Sequence, residues 1–371
     1  MKNPCPLLGL DHLEFYVGNA KQAAYFYEQQ FGFTPIAFRG LETGDRKTAS
    51  YLLQQGRIKF VLSSSLSGEH PIDTMVARHG DGVGVMAFTV TDARQVYETL
   101  LQNRATAAIP PTEIKTDQGH WRFAAIQGYG DVLFKFVERH HYRGMFAPGF
   151  VPCPIGFPTQ QETGLFEIDH VVGNVETGAM DRWVRFFMEA LGFQLLAHFD
   201  DKTIATQYSA LMSKVVQDPT GRIKLPINEP ARGLRQSQIE EYLQFNNGPG
   251  VQHIALATRD IIHTVRQLKS AGVAFLETPM AYYDTLEQRV GAINQPINKL
   301  AELGILVDRD ATGYLLQIFT QPVEDRPTLF FEIIERHGAT SFGEGNFKAL
   351  FEAIEREQAR RGNLEPVGRV L

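Results

Sequence analysis

Three metal-binding side chains lie in segments whose other residues have the apolar character of buried strands. They are His170, His253 and Glu332, and their segments read Glu-Ile-Asp-His-Val-Val, Gly-Val-Gln-His-Ile-Ala-Leu and Leu-Phe-Phe-Glu-Ile-Ile. Two imidazoles and one carboxylate form the ligand set that holds non-haem Fe(II) on one face and leaves the opposite face open for O2 and a substrate. These residues give the clearest indication of chemistry in the chain.

Each of these residues also has an interpretation without a metal. A single histidine in an apolar strand is most often a core residue whose ring nitrogens have hydrogen-bond partners. A buried and unpaired carboxylate costs several kcal/mol, however, and strand alternation places Glu332 on the same face as Phe330 and Ile334. A metal ion removes that cost, whereas Glu335 and Arg336, at the end of the strand, are expected to reach water.

The spacing of the three ligands excludes the common zinc patterns. They lie far apart in the sequence, unlike the ligands of a zinc finger or of a helical His-Glu-x-x-His site. The fold must therefore bring three separate strands together to build the site.

The composition describes a globular chain that is long enough for two domains. It has 371 residues, of which 43% are hydrophobic and 21% charged, as in ordinary folded proteins. The net charge of −6, without a basic cluster, disfavours nucleic acid and anionic membranes as partners. Cys5 and Cys153 form no metal or redox motif, and the first residues do not resemble a signal peptide, so we expect a cytoplasmic protein.

An uncharged stretch, residues 144–161, divides the chain. Its four prolines rule out a membrane-spanning helix and favour an extended linker. We therefore expect an N-terminal domain over residues 1–143 and a C-terminal domain over residues 162–371.

The two halves repeat each other across this linker. Four pairs of segments carry the repeat: Leu-Asp-His and Ile-Asp-His, ending at His12 and His170; Phe-Gly-Phe and Leu-Gly-Phe, ending at Phe33 and Phe193; Gly-Asp-Gly-Val and Gly-Pro-Gly-Val, ending at Val83 and Val251; and Glu-Arg-His, ending at His140 and His337. A period of roughly 160 residues indicates duplicated domains, since solenoid repeats are far shorter.

Each half has the pattern of two strand–helix–three-strand modules, written βαβββ. An entry strand leads to an amphipathic helix near residues 20–30 or 178–191, and the glycine that follows suits its C-terminal cap. A second strand–helix pair follows at residues 83–103 and again at 251–271. We therefore predict an α+β protein of two tandem open barrels, each built from paired βαβββ modules. A C-terminal helix follows, with apolar residues at i, i+3, i+4 and i+7 from Phe347.

The repeat contains its own control for the metal site. His12 matches His170, but a valine, Val85, and a lysine, Lys135, stand where the second half has its other two ligands. The fold does not require those ligands, which points to a task beyond folding. We expect the first domain to be structural and free of metal.

Longer segments throughout the chain resemble one enzyme family. They include Val-Gly-Asn-Ala-Lys-Gln-Ala ending at Ala23, Gly-Leu-Glu-Thr-Gly ending at Gly44, Lys-Leu-Pro-Ile-Asn-Glu-Pro ending at Pro230, Ser-Gln-Ile-Glu-Glu ending at Glu241, Gly-Tyr-Leu-Leu-Gln-Ile-Phe-Thr ending at Thr320, and Phe-Gly-Glu-Gly-Asn-Phe ending at Phe347. Together with the triad and the repeat, they resemble the 4-hydroxyphenylpyruvate dioxygenase family, of the vicinal-oxygen-chelate superfamily, over nearly the whole chain. The family's last segment usually reads Gly-Phe-Gly-Lys-Gly-Asn-Phe. Here Ser341 and Glu344 replace the first glycine and the lysine, a departure that bears on the mobility or charge of the site's lid.

The resemblance implies a reaction and its partners. The substrate, 4-hydroxyphenylpyruvate, carries its own 2-oxo acid, so with O2 and Fe(II) it gives homogentisate and CO2 without 2-oxoglutarate. The iron supplies the oxidising chemistry, while the protein supplies ligation and orientation. We also expect a homo-oligomer, a dimer or a tetramer.

Two glutamines are implied near the metal. Gln317 shares a strand face with Phe319, and the resemblance assigns both to the site, with Gln317 at the keto-acid end of the substrate. Gln252 is also counted among the substrate-binding residues, although strand alternation puts it on the face opposite His253, from which it would support the ligands.

A second polar group is implied near the phenol and ring of the substrate. By resemblance it contains Asn228, Gln238 and Ser209. The residues alone favour another interpretation, in which Asn228 caps a loop and Ser237 is the N-cap of a helix that begins near Gln238.

Aromatic residues are implied as walls of the substrate site. By resemblance, Phe330 and Phe342 sandwich the substrate ring, and Asn346 and Phe347 belong to the same site. Glycines between Phe342 and Phe347 would let this segment hinge as a gate. The apolar stripe of the C-terminal helix offers an alternative for Phe347, which is packing.

Three other functions stay open from the sequence. A hydroxymandelate synthase resembles this family in fold, metal and substrate, but hydroxylates the benzylic carbon. An extradiol catechol dioxygenase shares the triad, although the segments around Asn228, Gln238 and Phe342 argue against it. A binding module without catalysis has the same fold, and the intact triad argues against that one.

Overall fold

Each half of the chain folds as a strand followed by an amphipathic helix that ends at a glycine. Gly32 and Gly192 adopt left-handed φ values of 74° and 68°, and their N–H groups bond back to the carbonyls of Glu28 and Phe187. A side chain would be strained in this conformation, so glycine ends both helices where the sequence predicts.

The computed structural model describes residues 5–153, 163–199, 210–231 and 233–363, which form two α+β domains. The elements of the first are β1 (Leu7–Tyr16), α1 (Ala20–Phe31), β2 (Thr34–Arg39), β3 (Thr48–Gln55), β4 (Ile58–Ser65), α2 (Pro71–His79), β5 (Gly82–Val90), α3 (Ala93–Gln102), β6 (Ala107–Thr116), β7 (Gly119–Gln127), β8 (Leu133–Glu138) and β9 (Val151–Pro152).

The second domain repeats this order and adds helices. Its elements are β10 (Leu165–Asn174), α4 (Met180–Leu191), β11 (Gln194–Phe199), β12 (Ala210–Gln217), β13 (Lys224–Ala231), α5 (Gln238–Phe245), β14 (Gly250–Thr258), α6 (Ile261–Ser270), α7 (Ala281–Asp284), α8 (Leu286–Val290), α9 (Ile297–Leu303), β15 (Leu306–Arg309), β16 (Tyr314–Phe319), β17 (Phe330–His337) and α10 (Phe347–Arg360).

Each domain contains one mixed sheet that joins two modules. The strand order is β6-β7-β8-β5-β1-β4-β3-β2-β9 in the first domain and β11-β12-β13-β10-β14-β17-β16-β15 in the second. The modules meet where β1 pairs antiparallel with β5, and β10 with β14. The predicted fold class and its paired βαβββ modules are confirmed.

The described part of the predicted linker packs on the first domain. β9 pairs with β2, with Val151 opposite Phe38. The ring of Phe146 lies edge-on to that of His12, 5.1 Å between centroids. These residues therefore extend the first sheet and cover its barrel, while residues 154–161 lie outside the described part of the chain.

Aromatic contacts between the two domains join them in one core. Phe331, on the last strand of the second domain, packs against Phe31 of α1 at 4.9 Å between ring centroids. Phe134, on β8 of the first domain, packs in the same way against Phe187 of α4 at 5.8 Å. β17 and β8 thus each rest on the first helix of the other domain, which fixes the strand that carries Glu332.

Candidate metal centre

The three predicted ligands meet on neighbouring strands of the second sheet. His170 lies on β10, His253 on β14 and Glu332 on β17, and these strands are adjacent in the order β10-β14-β17. The Oε2 atom of Glu332 lies 3.1 Å from Nε2 of His170 and 3.6 Å from Nε2 of His253. The fold therefore brings the three side chains together at one point.

Two β-bulges turn the neighbours of the histidines toward them. The pairing of β10 with β14 skips Asp169 on one strand and Gln252 on the other. A bulge breaks strict alternation, so the extra residue no longer faces the opposite side. The side-chain oxygens of Asp169 and Gln252 accept from Nδ1 of His170 and His253 over 2.8 and 3.1 Å.

These hydrogen bonds select how each imidazole faces the centre. With the proton on Nδ1, the Nε2 lone pair of each ring is free to bind a metal. Gln252 supports His253 as expected, but the bulge also brings it to the lining of the cavity, which strict alternation did not predict.

Burial and the charges within the triad shift the pKa values of its three side chains. Burial lowers the pKa of His253, and Glu332 offsets this only in part. Burial also lowers the pKa of His170, but Glu332 and Asp169 outweigh it, so this pKa lies above its ordinary value. Burial raises the pKa of Glu332, yet the two imidazoles outweigh it and hold the pKa below its ordinary value. The carboxylate is therefore kept ionised, the form that binds a metal.

The donor set fits a single metal ion. Cis ligands at about 2.1 Å from an ion lie about 3 Å from each other, close to the 3.1 Å and 3.6 Å separations from the carboxylate. All three ligand atoms lie within 4.8 Å of one another, as on one face of an ion. The three protein ligands leave the opposite face for other molecules.

A second group of possible ligands lies on the first domain. It consists of Glu138, His140 and His141, and both histidines are exposed. Glu138 already accepts from the backbone N–H of Ala93 and lies 3.5 Å from the guanidinium of Arg122. A cation would have to compete with that arginine, so the buried triad is the stronger site.

The strand end behind the triad is covered, contrary to expectation. The Arg336 side chain is only 17% exposed, because its guanidinium forms a salt bridge with Asp169. Glu335 is 5% exposed and accepts from the backbone N–H of Ile261 at the start of α6. Both residues were predicted to reach water, but elements from elsewhere in the chain cover this strand end.

The triad forms one wall of a cavity whose empty space, including the part that is open to solvent, is about 580 Å³. Side chains from β10 to β14, β16, β17, α5 and α10 surround it, so the second sheet curves around this space. The lining residues are His170, Val172, Phe199, Leu211, Ser213, Val215, Pro226, Asn228, Gln238, Gln252, His253, Gln317, Phe319, Phe330, Glu332, Phe342, Phe347, Leu350 and Phe351.

Besides Gln252, three of the predicted polar residues line this cavity. Gln317 is 1% exposed, and its Oε1 atom has no hydrogen-bond partner within the described part of the chain. Asn228 lies within β13 and not in a loop, and its amide donates to Asn174 over 3.2 Å. Gln238 is the first residue of α5, and Ser237 is the N-cap of that helix, as the alternative interpretation held. Ser209 lies outside the described residues.

The predicted aromatic residues surround the ligands. Phe330 stacks on the His253 ring at 4.7 Å between centroids, with Phe319 edge-on to the same ring at 6.2 Å. Phe342 lies edge-on to His170 at 5.1 Å. Phe347 packs against Phe199 and also lines the cavity, so packing and lining are compatible.

The segment from residue 339 to 347, here called the lid segment, leads into α10 and lies over the triad. Gly343 has a φ of 77°, and a Cβ there would meet Oε1 of Gln317 at 2.1 Å. Glycine is required for this close approach, so hinging is not its sole use. Glu344 is exposed, and the backbone of Ser341 bonds Asp310 and Arg336.

Asn346, which was predicted to bind substrate, is not among the residues that line the cavity. It is fully buried, and its Oδ1 accepts from the hydroxyl of Tyr282 over 2.6 Å. Nearby, Asp308 accepts from the N–H of Gly345. Asn346 therefore anchors the lid segment to the body of the domain.

Several lining residues were missed from the sequence. Leu211, Ser213 and Val215 face the cavity at every second position of β12, so strand alternation could have identified them. Asp169 and Arg336 were also missed, although both recur in the repeat as Asp11 and Arg139.

Comparisons with known proteins agree with this geometry. Residues 1–150 match the family model described as "Hydroxyphenylpyruvate dioxygenase, HPPD, N-terminal", and residues 167–318 match the "Glyoxalase/Bleomycin resistance protein/Dioxygenase superfamily". The chain is 46% identical to a 4-hydroxyphenylpyruvate dioxygenase of Dictyostelium discoideum, over 96% of this chain and 100% of that protein. It is 44% identical to the enzyme of that name from Yarrowia lipolytica, over 96% of this chain and 93% of that protein.

A solved structure that is named for a different reaction is also similar to this chain. A triple mutant of 4-hydroxymandelate synthase from Streptomyces coelicolor superposes with a TM-score of 0.84 and 33% identity, over 96% of this chain and 99% of that chain. Within the described residues of the present protein, no helix is long and apolar enough to cross a membrane.

Proposed function

The chain belongs to the 4-hydroxyphenylpyruvate dioxygenase family, and we propose that it converts 4-hydroxyphenylpyruvate and O2 to homogentisate and CO2 with Fe(II) held by His170, His253 and Glu332. The observation that carries this proposal is the convergence of two imidazoles and one carboxylate on one wall of a cavity lined by aromatic rings and amides. Fe(II), when bound, supplies the open coordination positions and the electrons that O2 chemistry requires.

The protein side of the reaction begins with Gln317. Its buried Oε1 has no partner among the described residues, and an unpaired amide of this kind costs free energy unless a ligand bonds to it. We assign it to the keto-acid end of the substrate. Because an amide can be turned by 180°, it can offer either its N–H or its oxygen to a carboxylate or keto group.

Asn228 and Gln238 provide the polar end of the cavity. Both line it, and a buried amide can donate to and accept from a phenol. Between the two polar ends, Phe330 and Phe342 stand beside different ligands of the triad and present apolar surface to an aromatic ring. This arrangement orients a molecule with a keto acid at one end and a phenol at the other.

The lid segment and α10 cover one side of the cavity against water, where Phe342, Leu350 and Phe351 line it. The far end of α10 is held by Arg361, which donates to both carboxylate oxygens of Glu241 over 3.1 and 2.9 Å. Exclusion of water confines the reaction to the bound substrate.

The first domain has a structural task in this proposal. We divide the chain into a first domain over residues 1–143, a connection over residues 144–161 and a catalytic domain over residues 162–371. The resident metal is Fe(II), one ion per chain, and the protein forms a dimer or a tetramer.

The nearest alternative is synthesis of 4-hydroxymandelate, because a synthase of that name shares 33% identity and the fold. The two products are isomers, so the test is chromatography with mass spectrometry after the protein is mixed with Fe(II), 4-hydroxyphenylpyruvate and air. The proposal predicts homogentisate. Hydroxymandelate as the main product would replace it with the alternative, and no product from iron-loaded protein would reject both.

A further inference from the structure

The guanidinium of Arg336 connects a metal ligand to the lid segment. Its Nε and Nη2 atoms donate to the two carboxylate oxygens of Asp169 over 2.7 and 2.9 Å, and Asp169 in turn holds Nδ1 of His170. Its remaining edge, Nη1, donates to the carbonyls of Ala339 and Ser341 over 3.2 and 2.6 Å. One planar group therefore joins the partner of the ligand to the backbone of the lid segment.

Phe342 closes this connection into a ring of contacts. Its side chain lies edge-on to His170 at 5.1 Å, and the guanidinium of Arg336 lies 5.5 Å from the centre of the same ring. Phe342 follows Ser341 directly, so a shift of the lid backbone that carries Phe342 away from the imidazole would disturb the bonds from Nη1. The orientation of His170 and the position of the lid segment are thus held by the same side chain.

We propose that Arg336 is a positioning residue that couples closure of the lid segment to metal binding at His170. The inference rests on the metal centre and lid of the proposed function. Binding of a metal fixes His170 and Asp169, which holds the guanidinium in place, and the guanidinium holds Ser341 and Phe342. By linkage, closure of the lid segment must then strengthen metal binding by the same factor.

This coupling requires the shape of arginine as well as its charge. A guanidinium is a rigid planar fork with five N–H donors, so one edge can pair with a carboxylate while the other binds carbonyls. Lysine at position 336 would keep the charge beside Asp169 but could not span both partners. Arg336→Lys therefore separates charge compensation from coupling.

The first domain provides a matched control. Arg139 donates from Nε to Asp11 over 2.8 Å and from Nη1 to the carbonyl of Phe146, and its guanidinium lies 4.6 Å from the centre of that ring. The same frame surrounds His12, but Val85 and Lys135 stand where the triad has its other two ligands. Arg139 therefore has the structural part of the role alone.

The first test follows hydrogen exchange of the lid segment with and without Co(II), an ion that takes the same ligands and needs no turnover. In the unmodified protein, Co(II) is expected to slow exchange of these amides by about tenfold, and Arg139→Met is expected to preserve that difference. Arg336→Met and Arg336→Lys are expected to abolish it. Should Arg336→Met fail to fold, Arg336→Lys decides alone.

The second test is a cycle of Co(II) affinities measured by chelator competition. Phe342→Ala is expected to weaken Co(II) binding about tenfold in the unmodified protein, the lower end of what outer partners of a ligand contribute. It is expected to have no effect in the Arg336→Lys background.

Three results would overturn the coupling. They are full Co(II)-dependent protection in Arg336→Lys, equal loss of protection in Arg139→Met, and an effect of Phe342→Ala that is the same in both backgrounds. None of these measurements uses the reaction. Homogentisate formation without coupling would therefore overturn this inference alone, and coupling without homogentisate would overturn the proposed function alone.

Discussion

The first domain repeats four side chains that surround the metal centre of the second. They are Asp11, His12, Arg139 and Phe146, in the places of Asp169, His170, Arg336 and Phe342. The ring centroids of histidine and phenylalanine lie 5.1 Å apart in both domains. The bulges recur as well, since the pairing of β1 with β5 skips the residue before His12. This frame therefore belongs to the repeated fold and does not depend on a metal.

The two frames differ in the charge at their centres. Lys135 lies where the second domain has Glu332, and burial lowers the pKa of this lysine. Burial also lowers the pKa of His12, and Lys135 adds to that effect, whereas Glu332 raises the pKa of His170 above its ordinary value. One domain thus surrounds an amine and the other a carboxylate, and only the carboxylate attracts a metal ion.

The largest expected effect comes from removing that carboxylate. Glu332→Gln keeps the shape of the side chain but removes the anionic ligand, so activity is expected to fall by more than about a hundredfold, beyond what outer partners of a ligand cost. The metal-free variant is expected to melt within a few degrees of the metal-free parent, because the amide removes a buried charge. Turnover assays and thermal melting check both parts.

Lys135→Gln is the matched control in the first domain. It changes the centre of the other frame and is expected to leave turnover and metal content unchanged. Near-normal turnover by Glu332→Gln, or loss of metal from Lys135→Gln, would contradict the assignment of the chemistry to the second domain.

Two substitutions are expected to build a second metal centre in the first domain. Val85→His together with Lys135→Glu places the missing ligands around His12, within a frame that is already present. The double variant is expected to bind about two Co(II) ions per chain. Gly84 stands where the second domain has Gln252, so binding at the new site is expected to be about 10–100-fold weaker.

A titration of Co(II) by its visible absorption measures the number of sites. Each single variant serves as a control and is expected to bind one ion. If the double variant also binds only one, the shared frame is not sufficient to position a metal centre.

Phe342→Ala tests whether the lid segment has a role in the reaction that Phe146, its counterpart in the first domain, does not have. Loss of a partly buried aromatic contact is expected to weaken substrate binding by about 1–3 kcal/mol. Water then enters the cavity, so O2 is consumed without an equal amount of homogentisate. O2 uptake and homogentisate are measured in the same vessel, and Phe146→Ala is expected to lower stability without loss of this coupling. Tight coupling and unchanged affinity in Phe342→Ala would reduce the lid segment to packing.

The smallest expected effect concerns a loop that differs between the domains. Glu324 lies between β16 and β17, and burial raises its pKa to about 8, with Asp81 and Asp325 adding to the shift. The folded protein keeps this proton up to about pH 8, whereas the unfolded chain loses it near the ordinary pKa of 4.5, so stability falls as the pH rises between these values.

Glu324→Gln removes this loss of stability. The variant is expected to gain about 1 kcal/mol in the free energy of unfolding at pH 8 and none at pH 4. Urea unfolding at the two pH values measures the difference. An equal gain at both would show that Glu324 does not hold a proton in the folded protein.

The sequence predicted features that depend on local pattern and on the repeat. The glycine caps at Gly32 and Gly192 and the paired modules follow from short segments, and the positions of the ligands follow from chemistry that is unusual in a buried strand. The bulges at Asp169 and Gln252 were not predicted, because one extra residue in a strand becomes visible only when the partner strand is known. Without the second bulge, strand alternation put Gln252 on the face opposite His253.

The covering of a strand end depends on distant residues and could not be predicted. Arg336 was expected to reach water, but Asp169 and the carbonyl of Ser341 hold it from parts of the chain that alternation does not describe. Asn346 lies in a segment typical of a substrate site, yet its side chain accepts a hydrogen bond from the hydroxyl of Tyr282. Such contacts are set by tertiary packing.

The most direct test of the metal centre is an anomalous difference map from crystals of the iron-loaded protein, recorded at the iron absorption edge. We expect one peak per chain, at about 2.0–2.2 Å from Nε2 of His170, Nε2 of His253 and a carboxylate oxygen of Glu332. A peak beside His12 or at Glu138 in place of this one, or a triad without a peak, would contradict the claim that the second domain alone carries the metal centre.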